Sequence, residues 1–327
     1  MSNRFDNKKL LYLLIGLIAI LLLTVVIKIP KERATLRSKI VEFDTSEVNK
    51  IILYPRVSIG NAVEFNKNNN KWKVQQGNIV SATQEGVVQN IFSDVLRIKP
   101  QSLAAVSKSK WKEFEVTDSL ATRIKFLDRK GKILADLMIG KFNYRQPDNT
   151  YAGYGGNNIQ VTSFVRLYSE QNVYAVDGLL PFSFNSKFDD WRDRTFIKSD
   201  KNNITSIRFV YPSDSSFSLI RKDKVWQIGD KTADSTSTAN FLVSLGILNG
   251  ENFKDDFKPV LSPVYQVFIE GNNLLSITVK CFKGDGTDEF IFNSSLNPEV
   301  YFTTKKDGIF EKLFKPKNYF LKQEKKR

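Results

Sequence analysis

The 327-residue chain has no histidine and one cysteine, Cys281. Without histidine there is no Ser-His-Asp or Cys-His catalysis, no histidine metal site and no use of the commonest general base. Any chemistry would rest on carboxylates, Lys or Tyr. A single cysteine excludes an intrachain disulfide, which leaves the compartment open, since extracytoplasmic domains with adequate cores need none. Cys281 lies in an alternating apolar run and reads as a small buried hydrophobe. Charge is missing from Leu10–Ile27, which is apolar except for Tyr12, Gly16 and Thr24.

As a helix, Leu10–Ile27 spans roughly 27 Å, close to the ~30 Å hydrocarbon core of a bilayer. It has no polar face, which a core helix of this length would show. It leads into Thr24-Val25-Val26-Ile27-Lys28-Ile29-Pro30 with no small-x-small cleavage site and no lipoprotein-type Cys. The expectation is an uncleaved transmembrane anchor at 10–29, between a short basic tail at 1–9 and a charged connector at 30–45. The flanks alone leave orientation open. The far side is the more basic, with Lys28, Lys31, Arg33, Arg37 and Lys39. However, long domains translocate largely regardless of charge, and a short basic tail before a first apolar helix is the usual signal-anchor arrangement.

The net charge of +14 resembles a nucleic-acid signal until it is located. Residues 1–40 and 305–327 carry +6 each, leaving +2 for the middle of the chain. Charge gathered at two ends, one beside the anchor, favours a membrane surface over a basic stripe within a fold. No nucleic-acid partner is expected.

Beyond the connector one pattern is written twice. Val48–Leu53 matches Ile204–Phe209, and each half has a polar hairpin ending on a tryptophan, Trp72 or Trp226. An amphipathic helix follows, carried by Val87, Val88, Ile91, Phe92, Val95 and Leu96 in the first half. In the second it is carried by Phe241, Leu242, Leu245 and Leu248. Strands then return: Ala121-x-x-Ile124-x-Phe126 matches Val264-x-x-Val267-x-Ile269, and Leu137-Met-Ile139 matches Ile277-Thr-Val279. The pattern predicts an α+β fold: a single transmembrane helix, then two tandem homologous units at 46–200 and 201–322. Each unit is mostly antiparallel sheet with one or two amphipathic helices, and a basic tail occupies 323–327.

The order Ile51–Leu53, Trp72, Val87–Ile98, Ile139-Gly140, Val173-Tyr174-Ala175-Val176 and Trp191-Arg192-Asp193-Arg194 resembles the bacterial family known as domain of unknown function 4340. That resemblance implies an N-terminal anchor and company with ABC-transporter and gliding-motility-type membrane components. It brings no established activity and no catalytic residues. With it, the expected location is the inner (cytoplasmic) membrane, single-pass, with the N-terminus cytoplasmic and the bulk of the chain extracytoplasmic or periplasmic.

The densest mix of charge and aromatic is Asp189-Asp190-Trp191-Arg192-Asp193-Arg194. Such a run could bind a sugar, phosphate or partner through a carboxylate pair with Arg clamps. It could equally be an ion-paired, capped junction between the units with Trp191 packed inside. The Gly-rich segment Tyr151–Asn158 lacks the Lys-Ser/Thr of a phosphate loop and reads as a hairpin tip, with Tyr151 and Tyr154 placed for a partner contact. Gly284–Glu289 lacks the ligand spacing of a calcium loop and reads as a turn. No cofactor and no metal is expected. The sequence favours a non-enzymatic binding or scaffold subunit of an integral membrane complex. The alternative is an enzyme acting on cell-envelope carbohydrate or peptide through the carboxylates near Asp189–Asp193.

Overall fold

The computed structural model describes residues 12–19, 36–145, 160–286 and 288–322. Residues 12–19 are helical, and their six large apolar side chains are 50–72% exposed. Leu10, Ile27 and the rest of the expected anchor lie outside the described residues. Among the described residues no helix is long and apolar enough to cross a membrane.

A first antiparallel sheet is built from β1 (Lys50–Tyr54), β2 (Val63–Asn68), β3 (Lys71–Gln76), β4 (Ile79–Ala82), β5 (Pro100–Ala105), β6 (Thr122–Leu127), β7 (Ile133–Arg145), β8 (Gln160–Leu167) and β9 (Val173–Asp177). Its strand order is β4-β3-β2-β1-β6-β7-β8-β9-β5. Helix α1 (Val87–Leu96) falls between β4 and β5 in the chain. A short strand β10 (Thr195–Lys198) precedes the second sheet.

That sheet uses β11 (Ile204–Val210), β12 (Phe217–Lys222), β13 (Val225–Ile228), β14 (Lys231–Thr232), β16 (Asn252–Phe253), β17 (Tyr265–Gly271), β18 (Ile277–Lys283), β19 (Glu289–Ser294) and β20 (Asn297–Lys305). Helix α2 (Ser235–Ser244) and strand β15 (Ile247–Asn249), which pairs with β10, sit between β14 and β16. The order β14-β13-β12-β11-β17-β18-β19-β20-β16 repeats the first sheet strand for strand. Both sheets are mostly antiparallel, with few helices.

Local chemistry explains the elements. Alternation in β6 buries Thr122, Ile124 and Phe126 and leaves the residues between them half-exposed, as one covered face requires. The β2–β3 hairpin turns on Asn69 and Asn70, both with positive φ (47° and 61°). Asparagine tolerates that region, which the tight primed turn requires at both positions. Trp72 faces Lys67 one pair beyond this turn, and Trp226 faces Arg221 one pair beyond the β12–β13 turn. Helix α2 starts at Asp234, whose carboxylate accepts the Ser237 N–H at 2.8 Å. That bond holds the Asp234 pKa below its ordinary value.

Register corrects one detail of the internal match. Ile124 pairs with Leu137, whereas Val267 pairs with Val279. Matching Ile124 to Val267 and Ile139 to Val279 therefore cannot both hold; one is displaced by two residues. A two-residue slip keeps every side chain on its face, so the apolar pattern is blind to it.

The chain divides into two compact units, Met1–Val48 with Ile91–Asn185 and Asn49–Asn90 with Ser186–Arg327. In the first, Val116, Met138, Phe164 and Val173 form a buried cluster. In the second, the core is rich in aromatics: Phe209 stacks on Phe217 at 4.5 Å, and Phe241 meets Phe320 edge-on at 5.2 Å. Cys281 is fully buried in this core, and burial pushes its thiol well above the ordinary value. Each large apolar side chain so enclosed contributes about 1.5–3 kcal/mol.

Gly140 has a specific reason to be glycine. A Cβ there would run into the carbonyl oxygen of Phe114, which accepts the Lys141 N–H at 3.1 Å. The β7–β8 ladder shifts register at this point, between Ile139 and Phe142. Gly140→Ala should therefore lower unfolding free energy by about 1–3 kcal/mol, as overpacking does, read by chemical denaturation. Cys281 offers an independent measurement. In the native protein it should resist a thiol reagent at mildly alkaline pH and react promptly once denaturant unfolds the chain.

Candidate functional site

The Asp189–Arg194 run lies between the short helix Leu180–Phe184 and β10. Phe188–Asp190 forms one 3₁₀ turn, closed by Asp190, whose carboxylate accepts the Lys187 N–H at 2.9 Å. The backbone then runs beside the segment after β4. The Gln84 N–H donates to the Trp191 carbonyl at 3.0 Å, and the Asp193 N–H donates to the Ala82 carbonyl at 2.9 Å. Trp191 is 7% exposed and meets Phe65 edge-on at 5.6 Å.

Arg192 is the centre of this site. Its side chain is 1% exposed. The guanidinium donates to both oxygens of Asp255, at 2.8 and 2.5 Å, and to Asp189 at 3.0 Å. It also lies 3.6 Å from the centroid of the Phe253 ring. A planar five-donor fork suits this combination of bidentate pairing and stacking, and a lysine could not reproduce it. Arg194 donates to the Glu251 carbonyl at 2.9 Å, and its own carbonyl accepts the Gly250 N–H at 2.8 Å. Asp193 accepts the Thr195 N–H at 2.8 Å. Thus Asp189, Asp190, Asp193 and Asp255 each hold a fixed internal partner. The Trp191 indole N–H and the Arg192 Nε are buried without a hydrogen-bond partner among the described residues.

A second cluster, in the other unit, was not legible in the sequence. Arg166 is 1% exposed and donates to the backbone carbonyls of Val116, Leu167, Tyr168 and Glu170, with its guanidinium 3.7 Å from the Trp111 ring centroid. Burial lowers its pKa from the ordinary arginine value. Beside it, Arg123 forms a two-bond pair with Asp136 at 2.7 and 2.8 Å. Arg37 donates to Glu170 at 2.7 Å and lies over the Tyr174 ring.

One concavity, of about 690 Å³, opens on β5, β7, β8 and β9 and is lined by Phe142, Tyr144, Arg145, Gln160 and Phe164 among others. None of its described lining residues is a carboxylate. A second, of about 610 Å³, holds Asp94 and Asp177, and Asp94 is paired with Arg97 at 2.9 Å. The Asp189–Arg194 run lines neither of them. Tyr151 and Tyr154 lie outside the described residues. Gly284 and Glu289 close a turn through a backbone bond of 2.9 Å. Among the described residues no group of three or more Cys, Asp or Glu could hold a metal ion.

The family model described as "Domain of unknown function (DUF4340)" matches residues 72–259, more than half of the chain. The chain belongs to the DUF4340 family. The matched segment begins at Trp72 and takes in the whole Arg192 site, Phe253 and Asp255 included. No curated protein and no solved structure matches the chain.

Removing one partner of a buried pair leaves an uncompensated charge, so Asp255→Asn should destabilise this DUF4340 chain by about 2–4 kcal/mol. Coupling it with Arg192→Met should recover much of the loss, since the unpaired charge goes too. A double-mutant cycle by chemical denaturation measures both.

Proposed function

We propose that the protein is a single-pass, membrane-anchored, extracytoplasmic subunit. In this reading it binds or scaffolds other components of a membrane assembly, of the ABC-transporter or gliding-motility kind, and catalyses nothing itself. The observation that carries the reading is the helix at 12–19, whose large apolar side chains are all at least half-exposed and lie inside an uncharged run of eighteen residues. A bilayer gives such a surface an apolar environment.

The non-enzymatic half of the reading rests on how the carboxylates are used. Those of the Asp189–Arg194 run are engaged by Arg192, by Lys187 N–H and by Thr195 N–H. A carboxylate-based glycosidase needs two carboxyl groups about 5–10 Å apart, free to face a substrate. Tethering to a bilayer raises the effective concentration of neighbouring membrane proteins, so even a weak contact is occupied.

Gentle solubilisation followed by affinity purification should return the protein with an integral membrane complex. Replacing Leu10–Ile27 with a cleavable signal should abolish that association. Turnover of an envelope carbohydrate or peptide by the purified protein, lost in Asp94→Asn or Asp177→Asn, would favour the enzymatic alternative instead.

A further inference from the structure

The loop between β5 and the Phe114 turn combines features that the proposed function does not use. Val106 is 63% exposed, and Lys108, Lys110 and Lys112 are all exposed around a half-buried Trp111. Trp111 is fixed from below: its indole N–H donates to the Gln171 carbonyl at 2.9 Å, and Arg166 stacks on its ring. The loop therefore presents an apolar tip and three ammonium groups on a rigid base. Lys108 lies over the Trp111 ring at 5.3 Å, and Lys110 pairs with Glu113 at 2.9 Å on the exposed surface.

The place where the chain arrives from its apolar N-terminal stretch lies next to this loop. Arg37 is bound by Glu170, and Trp111 by Gln171, the next residue along. Ile40 and Val41 are buried, and the Ile40 N–H donates to the Ile98 carbonyl at 3.2 Å. Eight residues, 28–35, separate Ile27 from Leu36, a reach of at most about 32 Å when fully extended. Residues 28–35 are net basic, with Lys28, Lys31 and Arg33 against Glu32.

We propose that Val106–Lys112 is a membrane-contact loop that rests on the headgroups of anionic lipids and holds the body of the protein against the bilayer beside its anchor. The proposal rests on the anchor reading given above. Lysines near an anionic surface strengthen association about fivefold each, and salt screens that gain. Val106 and the Trp111 edge suit the interfacial zone, where an apolar body with a polar handle is favoured.

The test uses the full chain reconstituted in phosphatidylcholine vesicles with or without phosphatidylglycerol. An environment-sensitive dye is placed on Val106→Cys, Cys281 being buried. A control dye goes on Tyr144→Cys, an exposed position seven residues along β7 from Leu137, which pairs with the end of β8 nearest Glu170. Along the strand that is about 23 Å from Leu137. Flotation with the vesicles is scored first, then quenching by a headgroup-labelled lipid.

The expected result is flotation in both lipids. Val106 should be quenched far more strongly than Tyr144, and chiefly when phosphatidylglycerol is present. Lys108→Glu, Lys110→Glu and Lys112→Glu should each weaken that contact at least about fivefold, with Cys281 still protected from thiol reagent as the sign of an intact fold. Flotation with Val106 unquenched, or quenched equally in neutral lipid and in the Glu variants, overturns the loop proposal and leaves the anchor standing. Failure to float overturns the anchor, and the loop proposal with it.

Discussion

A guanidinium buried among apolar side chains is tolerable only with its charge matched and its faces covered. Arg192 meets both conditions through Asp255 and Phe253, residues reached only after the chain has built β11–β14 and α2. The run around it is organised by that demand. Asp189 takes the remaining edge of the fork, Arg194 ties down the strand carrying Phe253, and the backbone of Trp191 and Asp193 binds the segment after β4. The ion pair need not add much net stability to be decisive, because any alternative arrangement strands a charge.

The same principle is met differently in the other unit. Arg166 has backbone carbonyls as its hydrogen-bond acceptors, together with the face of Trp111. Several carbonyl dipoles and an aromatic quadrupole spread the compensation over five residues. This locks the β8–β9 turn and the Trp111 loop to one another, and with them Glu170, which receives the incoming chain at Arg37. In each unit the most buried charge sits where separate stretches of sequence have to be brought together. That accounts for the arginines and aromatics without any appeal to catalysis.

The fold was legible where it depends on periodicity. Alternating strands, two Trp-ended hairpins and a helix after each are local signals, and the two sheets share one strand order; α2, however, ends at Ser244, so Leu245 caps it and Leu248 falls in β15 rather than on the helix. Register was not legible, because Leu137 and Ile139 lie on one face and a pattern of faces cannot tell them apart. The Asp189–Arg194 run stood out by composition, but its chief partner did not: Asp255 is 63 residues away, in a stretch with no periodic signal. Arg166 was invisible for a related reason. A lone arginine in a strand reads as an outward-facing residue, and only the tertiary approach of Val116 and Trp111 turns it inward. Tyr151 and Tyr154, chosen for their place in a Gly-rich insertion, fall outside the described residues.

The compact units do not follow the order of the chain, and this has a consequence for timing. Asn49–Asn90 groups with Ser186–Arg327, and one of the ion pairs within that unit, Glu85 with Lys198, joins residues 113 positions apart. A polypeptide made at about 5–20 residues per second delivers the second partner roughly 6–23 s after the first. Over that interval β1–β4 has emerged without Trp191 to cover Phe65 or Arg192 to hold its end. A chain threaded across a membrane N-terminus first would meet the same delay in its new compartment. The face of the early meander at Phe65 and the end of β4 at Ala82 are therefore among the last parts of this unit to be closed.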